Sequence, residues 1–202
     1  MNICWTDKEF EAATIKALSV SEGRPLLVDK FLEDAREYDL DLVSDGKEVE
    51  IAAIMEHIEE AGIHSGDSSC VVPPIHLRKN IERQMIEWST TMAKELGVIG
   101  LMNVQFATQG DELFILEVNP RASRTIPYVS KATRIPWVKV ATRVSLGESL
   151  SSAMRSYKFN GYSSYNKLDK FFVKTPVFPW RRFTVNDTLL GPEMKSTGEV
   201  MG

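Results

Sequence analysis

The chain has 202 residues, 43% hydrophobic and 26% charged, which is enough apolar material for one packed domain or two small lobes. Its net charge of -4 lacks the basic surplus of nucleic-acid binders, and no apolar run approaches a membrane span, so neither nucleic acid nor membrane is an expected partner. Cys4 and Cys70 have neither metal-ligand nor disulfide-framework spacing and the chain start reads as no secretory signal, which predicts a cytoplasmic setting.

Asn2 to Trp5 reads as a short strand. Thr6-Asp7-Lys8-Glu9 is a capping-box signature, opening a predicted helix to about Val20 with Phe10, Ala13, Ala17 and Leu18 at helical spacing. Glu22-Gly23-Arg24-Pro25 ends it. Leu26 to Leu32 then reads as a strand, Glu37 to Val43 alternates charged and apolar residues, and Ser44-Asp45-Gly46 turns into a strand from Val49 to Met55. One small strand and one helix ahead of a larger sheet predict the remnant of a first lobe, residues 1–25, with the N-terminus a fragment boundary.

The stretch Glu60 to Ser69 holds two glycines, a histidine and three serines, which can present amides and hydroxyls to an anion. Taken alone, such a loop is more often a surface turn. It gains weight because a hairpin with polar side chains stands downstream on the same fold. Ile81, Met85, Trp88, Met92 and Leu96 form a core stripe on a helix predicted over about Ile75 to Leu96, closed by Gly97.

Asn103-Val104-Gln105-Phe106 and Glu117-Val118-Asn119 read as strands of that hairpin, turning at Gln109-Gly110-Asp111. An odd-length turn centred near Asp111 places Gln105 opposite Glu117, with Asn103 beside the first and Ile115 and Asn119 beside the second. A Glu and an Asn at period two are usually the solvated face of a strand. Here the flanking residues Leu113 to Leu116 and Val118 are apolar, which predicts a buried strand whose polar side chains need partners. Arg121 and Arg124 come next. Oxygen donors beside arginines suit a hard divalent cation carrying phosphate, Mg²⁺ or Mn²⁺, with the guanidiniums offsetting phosphoryl charge.

Helices are predicted over Thr125 to Thr133 and Pro136 to Leu146. The polar section Gly147 to Asp169 has no assigned role; Phe171 to Val173 and Pro176 to Phe178 read as extended segments, and Thr188 to Gly202 as an extended tail.

The strings MEHIEEAGIHSGDS, GLMNVQFA, LEVNPRASRTIPYVSKAT and LLGPEMKSTGEVMG, in this order, resemble the large subunit of carbamoyl-phosphate synthetase. MEHIEEAG and LLGPEM resemble its second half, which phosphorylates carbamate. The resemblance implies an α+β ATP-grasp fold, a mostly antiparallel sheet flanked by helices, with the N-terminal small lobe incomplete. It places the large lobe at 26–150 and C-terminal strands and tail at 151–202.

By the same resemblance, Lys30 to Leu32 hold adenine through the backbone and Glu37 holds ribose, while Gly62, Ile63, His64 and Ser65 form the nucleotide-contacting loop. Gln105, Glu117 and Asn119 are the implied metal ligands, the first two also contacting nucleotide; Arg121 and Arg124 are the implied catalytic arginines. The implied reaction is an ATP-dependent ligase step that passes the γ-phosphoryl to carbamate, with a small glutamine amidotransferase subunit and the rest of the large subunit as partners. Arg134 stands where glycine is usual in KATG. The family's upstream phosphate-covering loop has no counterpart before Met1, so the isolated chain is expected to fold without turning over. Competing readings are a non-catalytic nucleotide-binding fragment and another ATP-grasp ligase such as a biotin carboxylase. HSGDS and LLGPEM count against the latter.

Overall fold

A computed structural model describes residues 3–155, 157, 164–183 and 190–202. The chain divides into two compact units, Met1–Glu33 and Asp34–Gly202. In the first, helix α1 (Asp7–Val20) starts at the predicted capping box: Glu9 N–H donates to Thr6 Oγ1 at 3.3 Å and Thr6 N–H to Glu9 Oε2 at 3.2 Å. Trp5 meets Phe31 edge to face, ring centroids 5.6 Å apart. Two expected strands do not form. Ile3 to Trp5 and Leu26 to Leu32 are irregular, because among the described residues of this unit no neighbouring strand pairs with them; Asn2 lies outside the described residues.

The second unit is built on β1 (Arg36–Asp45), β2 (Val49–His57), β3 (Cys70–Val72), α2 (Lys79–Glu95), β4 (Ile99–Gln109), β5 (Glu112–Asn119), α3 (Ile126–Thr133), α4 (Trp137–Ser145), α5 (Leu150–Arg155), β6 (Phe172–Val177) and β7 (Gly198–Met201). The strands form one sheet in the order β5-β4-β1-β2-β3-β6-β7, antiparallel throughout. Helices α2, α4 and α5 pack on the central strands, and Leu40, Leu42, Ile54, Val104, Phe106, Met85, Trp137 and Val140 fill the core. Burial on this scale, at about 25 cal/mol per Å² of apolar surface, is what holds the unit together.

Three expectations shift. Helix α2 starts at Lys79 because Ile75 and His76 donate their backbone N–H groups to buried Glu56, both at 2.7 Å, instead of to a helix. Its buried stripe is Ile81, Met85, Ser89 and Ala93, with Trp88 and Met92 at its flank and Leu96 exposed at the C-cap. The two extended segments after Phe171 are the single strand β6, and part of the polar section forms α5 and a 3-10 turn at Ser164–Lys167. Thr188 and Leu189, the start of the expected tail, lie outside the described residues.

Arg134 ends α3 in the left-handed conformation, φ 59°, ψ 18°. An L-residue there costs about 1–2 kcal/mol, whereas glycine gives back roughly half in unfolded-chain entropy. Arg134→Gly is expected to stabilise the chain by about 1 kcal/mol, a rise of roughly 2–4 °C in thermal midpoint. A lowered midpoint would show that the arginine side chain contributes more than its backbone costs.

Candidate functional site

β4 and β5 join through the two-residue connection Gly110-Asp111, with Gln109 opposite Glu112. The register then shifts between Gln105 and Phe106, so that Phe106 faces Ile115 while Gln105 faces Glu117 and Asn103 faces Asn119. Leu116 is the extra residue of a β-bulge. Gln105 and Glu117 are therefore opposed, as expected, through a two-residue turn plus a bulge and not an odd-length turn. Ile115 pairs with Phe106, so it lies on the other face from Glu117. β5 is also the sheet's edge strand, with Ile115, Leu116 and Glu117 exposed and Gln105 and Asn119 half-buried. The expected buried strand is not there.

The face that carries Gln105 continues across β1 as Glu37, Asp39 and Asp41 and onto β2 as His57. His57 Nε2 lies 2.8 Å from Asp39 Oδ2, and its Nδ1 sits 3.3 Å from Glu37 Oε2, off the line of a hydrogen bond. Burial pushes Asp39 up, but His57, by charge and hydrogen bond, together with Asn103 and Gln105, outweighs it and holds the carboxyl below its ordinary value. Burial pushes His57 down, and the surrounding Cys70, Asp39 and Glu37 carry it well above the usual imidazole value. Asp41 accepts from Thr125 Oγ1 at 2.6 Å, Ser123 Oγ at 2.7 Å and Asn103 Nδ2 at 3.0 Å. Burial, aided by the Asp39 charge, still raises it to about 6.

Glu37 Oε1 accepts the Gly62 N–H at 2.9 Å, which ties the proposed ribose carboxylate to the glycine-containing loop. The C-terminal segment holds that loop in turn. Asp67, fully buried, accepts Lys195 N–H at 2.7 Å and Ser196 N–H at 2.8 Å; His64 N–H donates to Gly191 O at 2.8 Å. Lys174, also fully buried, donates to Ser65 O at 3.1 Å and pairs with Glu199 at 3.5 Å. Ile63, His64 and Ser65 are half-buried and Gly62 is exposed. Lys30 and Leu32 belong to the N-terminal unit, in irregular backbone.

Arg121 and Arg124 are exposed just beyond the hairpin; Arg121 Nη1 donates to Ala122 O at 3.3 Å and the Arg124 guanidinium meets the Met194 sulfur. The arginine, the loop and the tail converge on Gly66, where a Cβ would stand 3.2 Å from Arg124 Nη1, His64 Nδ1 and Met194 Sδ alike. Gly66 is not in the left-handed region, so an added methyl acts on these neighbours alone. Gly66→Ala is expected to cost about 1 kcal/mol by overpacking and to shift the Arg124 and His64 side-chain resonances. Unchanged resonances would contradict the packing.

Among the described residues no group of three or more His, Cys, Asp or Glu could hold a metal ion. Gln105, Glu117 and Asn119 offer one carboxylate and two amide oxygens on adjacent register positions. That set fits Mg²⁺, which takes one or two carboxylates and completes its shell with water and phosphate. No helix among the described residues is long and apolar enough to cross a membrane.

A family model described as "Carbamoyl-phosphate synthase L chain, ATP binding domain" matches residues 1–153. The chain belongs to this family. The carbamoyl phosphate synthase large chain of Rubrobacter xylanophilus is 50% identical over 202 residues, all of this chain and 18% of the relative. A "Carbamoyl phosphate synthase large chain, C-terminal section" of Aquifex aeolicus is 49% identical over 211 residues, all of this chain and 39% of that one. The chain thus spans well under half the length of these relatives. Among solved structures, the biotin carboxylase domain of Hydrogenobacter thermophilus 2-oxoglutarate carboxylase, in complex with MgADP, ADP and bicarbonate, matches with a TM-score of 0.66 at 17% identity. It covers 89% of this chain and 39% of that one, and the shared fold is the ATP-grasp fold.

In this ATP-binding domain the residues that sequence reasoning missed are Asp39, Asp41, His57, Asp67, Lys174, Ser123, Thr125 and Met194. One signal was present. Glu37, Asp39 and Asp41 stand at period two in β1, which puts three carboxylates on one face of a central strand.

Proposed function

We propose that this chain is part of the ATP-grasp module of a carbamoyl-phosphate synthase, in the half that passes the γ-phosphoryl of ATP to carbamate. The products are carbamoyl phosphate and ADP. The observation that carries the reading is the register of the hairpin, Gln105 opposite Glu117 and Asn103 opposite Asn119, with Arg121 and Arg124 directly after it. The match to a C-terminal section over the whole of this chain supports the choice of half.

In this reading Lys30 to Leu32 receive adenine through backbone groups, Glu37 accepts the ribose hydroxyls, and the loop Gly62 to Ser65 presents amides and hydroxyls to nucleotide. Gln105, Glu117 and Asn119 hold Mg²⁺, or Mn²⁺, whose charge when bound neutralises phosphate oxygens. Arg121 and Arg124 offset the charge that develops on the transferred group. No side chain need act as a nucleophile, because positioning and charge neutralisation carry most of the barrier reduction in such a step. A small glutamine amidotransferase subunit supplying ammonia, the remainder of the large chain and a cytoplasmic location complete the proposal.

Calorimetric titration with Mg-ATP tests it. Glu37→Ala is expected to weaken binding about tenfold, since a carboxylate accepting ribose hydroxyls contributes upwards of about 1.5 kcal/mol. Lys30→Ala should leave affinity near that of the wild type, because its backbone is what binds. Equal losses from both substitutions would defeat the assignment.

A further inference from the structure

We propose that Asp41 is a positioning residue, the anchor that holds the loop from Pro120 to Thr125 and so fixes where Arg121 and Arg124 stand, between the end of the hairpin and the loop at Gly66. The consequence for phosphate rests on the function proposed for this chain; the anchoring itself does not.

Asp41 is 1% exposed on β1, between β2 and β4 in the centre of the sheet. Two of its three donors, Ser123 Oγ and Thr125 Oγ1, come from the loop, and these two hydroxyls also lie 2.7 Å from each other. They are the chain neighbours of Arg124 on either side. With both neighbours turned inward onto one carboxylate, the guanidinium between them stands exposed. The third donor, Asn103, comes from β4 and also reaches Asp39 Oδ1 at 3.3 Å, which links the anchor to the strand carrying Gln105. Among the described residues the arginines have little tether of their own, one backbone carbonyl for Arg121 and one thioether for Arg124.

The energetics point the same way. A buried carboxylate is a poor stabiliser, and an apolar side chain would fill this place at less cost. Hydrogen bonds to a charged acceptor are, however, short and directional, and three of them converging on one group fix a loop more narrowly than apolar contact does. The cost of the buried charge is explained if the accuracy of the arginine loop is what it secures.

The test uses the 202-residue chain, with amide hydrogen exchange read by NMR and titrations with Mg-ATP and with AMP. Two variants are compared, Asp41→Ala and the double variant Ser123→Ala/Thr125→Val, so that loss of folding in the first leaves the second to decide. Each is expected to speed exchange at Arg121 and Val129, whose N–H groups donate to Asn119 O and Thr125 O at the two ends of the loop, at least tenfold while the amides of β2 and β4 keep their protection. Mg-ATP affinity should fall about tenfold with AMP affinity unchanged, because only the phosphate end meets the arginines. Unchanged protection of the loop in both variants, or faster exchange spread evenly over the sheet, overturns the inference. If the wild type binds no Mg-ATP, the proposed function fails, and loop exchange alone still decides the role of Asp41.

Discussion

Replacing Asp67 with alanine is expected to destabilise the chain by about 4 kcal/mol, the sum of two charge-assisted bonds at roughly 1.5–3 kcal/mol each. Asp67 is fully buried, and its two oxygens separately accept the backbone N–H groups of Lys195 and Ser196. Removing the side chain takes this acceptor from two amides, that of Ser196 in a buried place and that of Lys195 in a half-buried one. The same segment secures the loop through Ser196 Oγ to Gly66 O at 2.8 Å and through Gly191 O to His64. The loss therefore reaches Gly62 to Ser65, and the thermal midpoint should fall by roughly 8–16 °C. Asp67→Asn keeps one acceptor oxygen, so about half the loss is expected. A change below about 1 kcal/mol for alanine would show that the tail is held by other contacts.

That clasp could not be read from the sequence, because Asp67 and its partners are more than a hundred residues apart and nothing in GPEMKSTGEV names a carboxylate as its acceptor. What local chemistry decides was legible. The capping box at Thr6 and Glu9 formed because both partners lie within one helical turn. The hairpin was legible for a similar reason, its strands being adjacent in sequence. Its bulge was not, since an extra residue such as Leu116 leaves no mark in composition. Nor was edge position, which non-local pairing decides: the run from Leu113 to Val118 reads as buried, yet Ile115 to Glu117 are exposed and the rest only half-buried. The alternation of Glu37 to Val43 separates charged from apolar residues and does not say whether the charged face is buried. Partners from β2, β4 and the loop before α3 make burial tolerable for Asp39 and Asp41.

Within an intact synthase large chain, Glu117→Gln is expected to lower carbamate phosphorylation by about a hundredfold or more, the scale on which one electrostatic element of phosphoryl transfer acts. Glutamine keeps the length of the side chain and one oxygen but removes the single carboxylate of the proposed Gln105, Glu117 and Asn119 set. A hard divalent cation held by three neutral amides binds weakly and offsets less phosphate charge. The fold should not suffer, because Glu117 is exposed on an edge strand, where substitutions usually stay within about 0.5 kcal/mol. Activity and stability are thereby separated in one variant, as they are not at Asp41 or Asp67. The reverse reaction, ATP formed from carbamoyl phosphate and ADP, reads this half of the chemistry without the earlier steps. A rate equal to the wild type in a variant of wild-type stability would remove Glu117 from the metal site, and with it the main support for reading the hairpin as the place where phosphate is transferred.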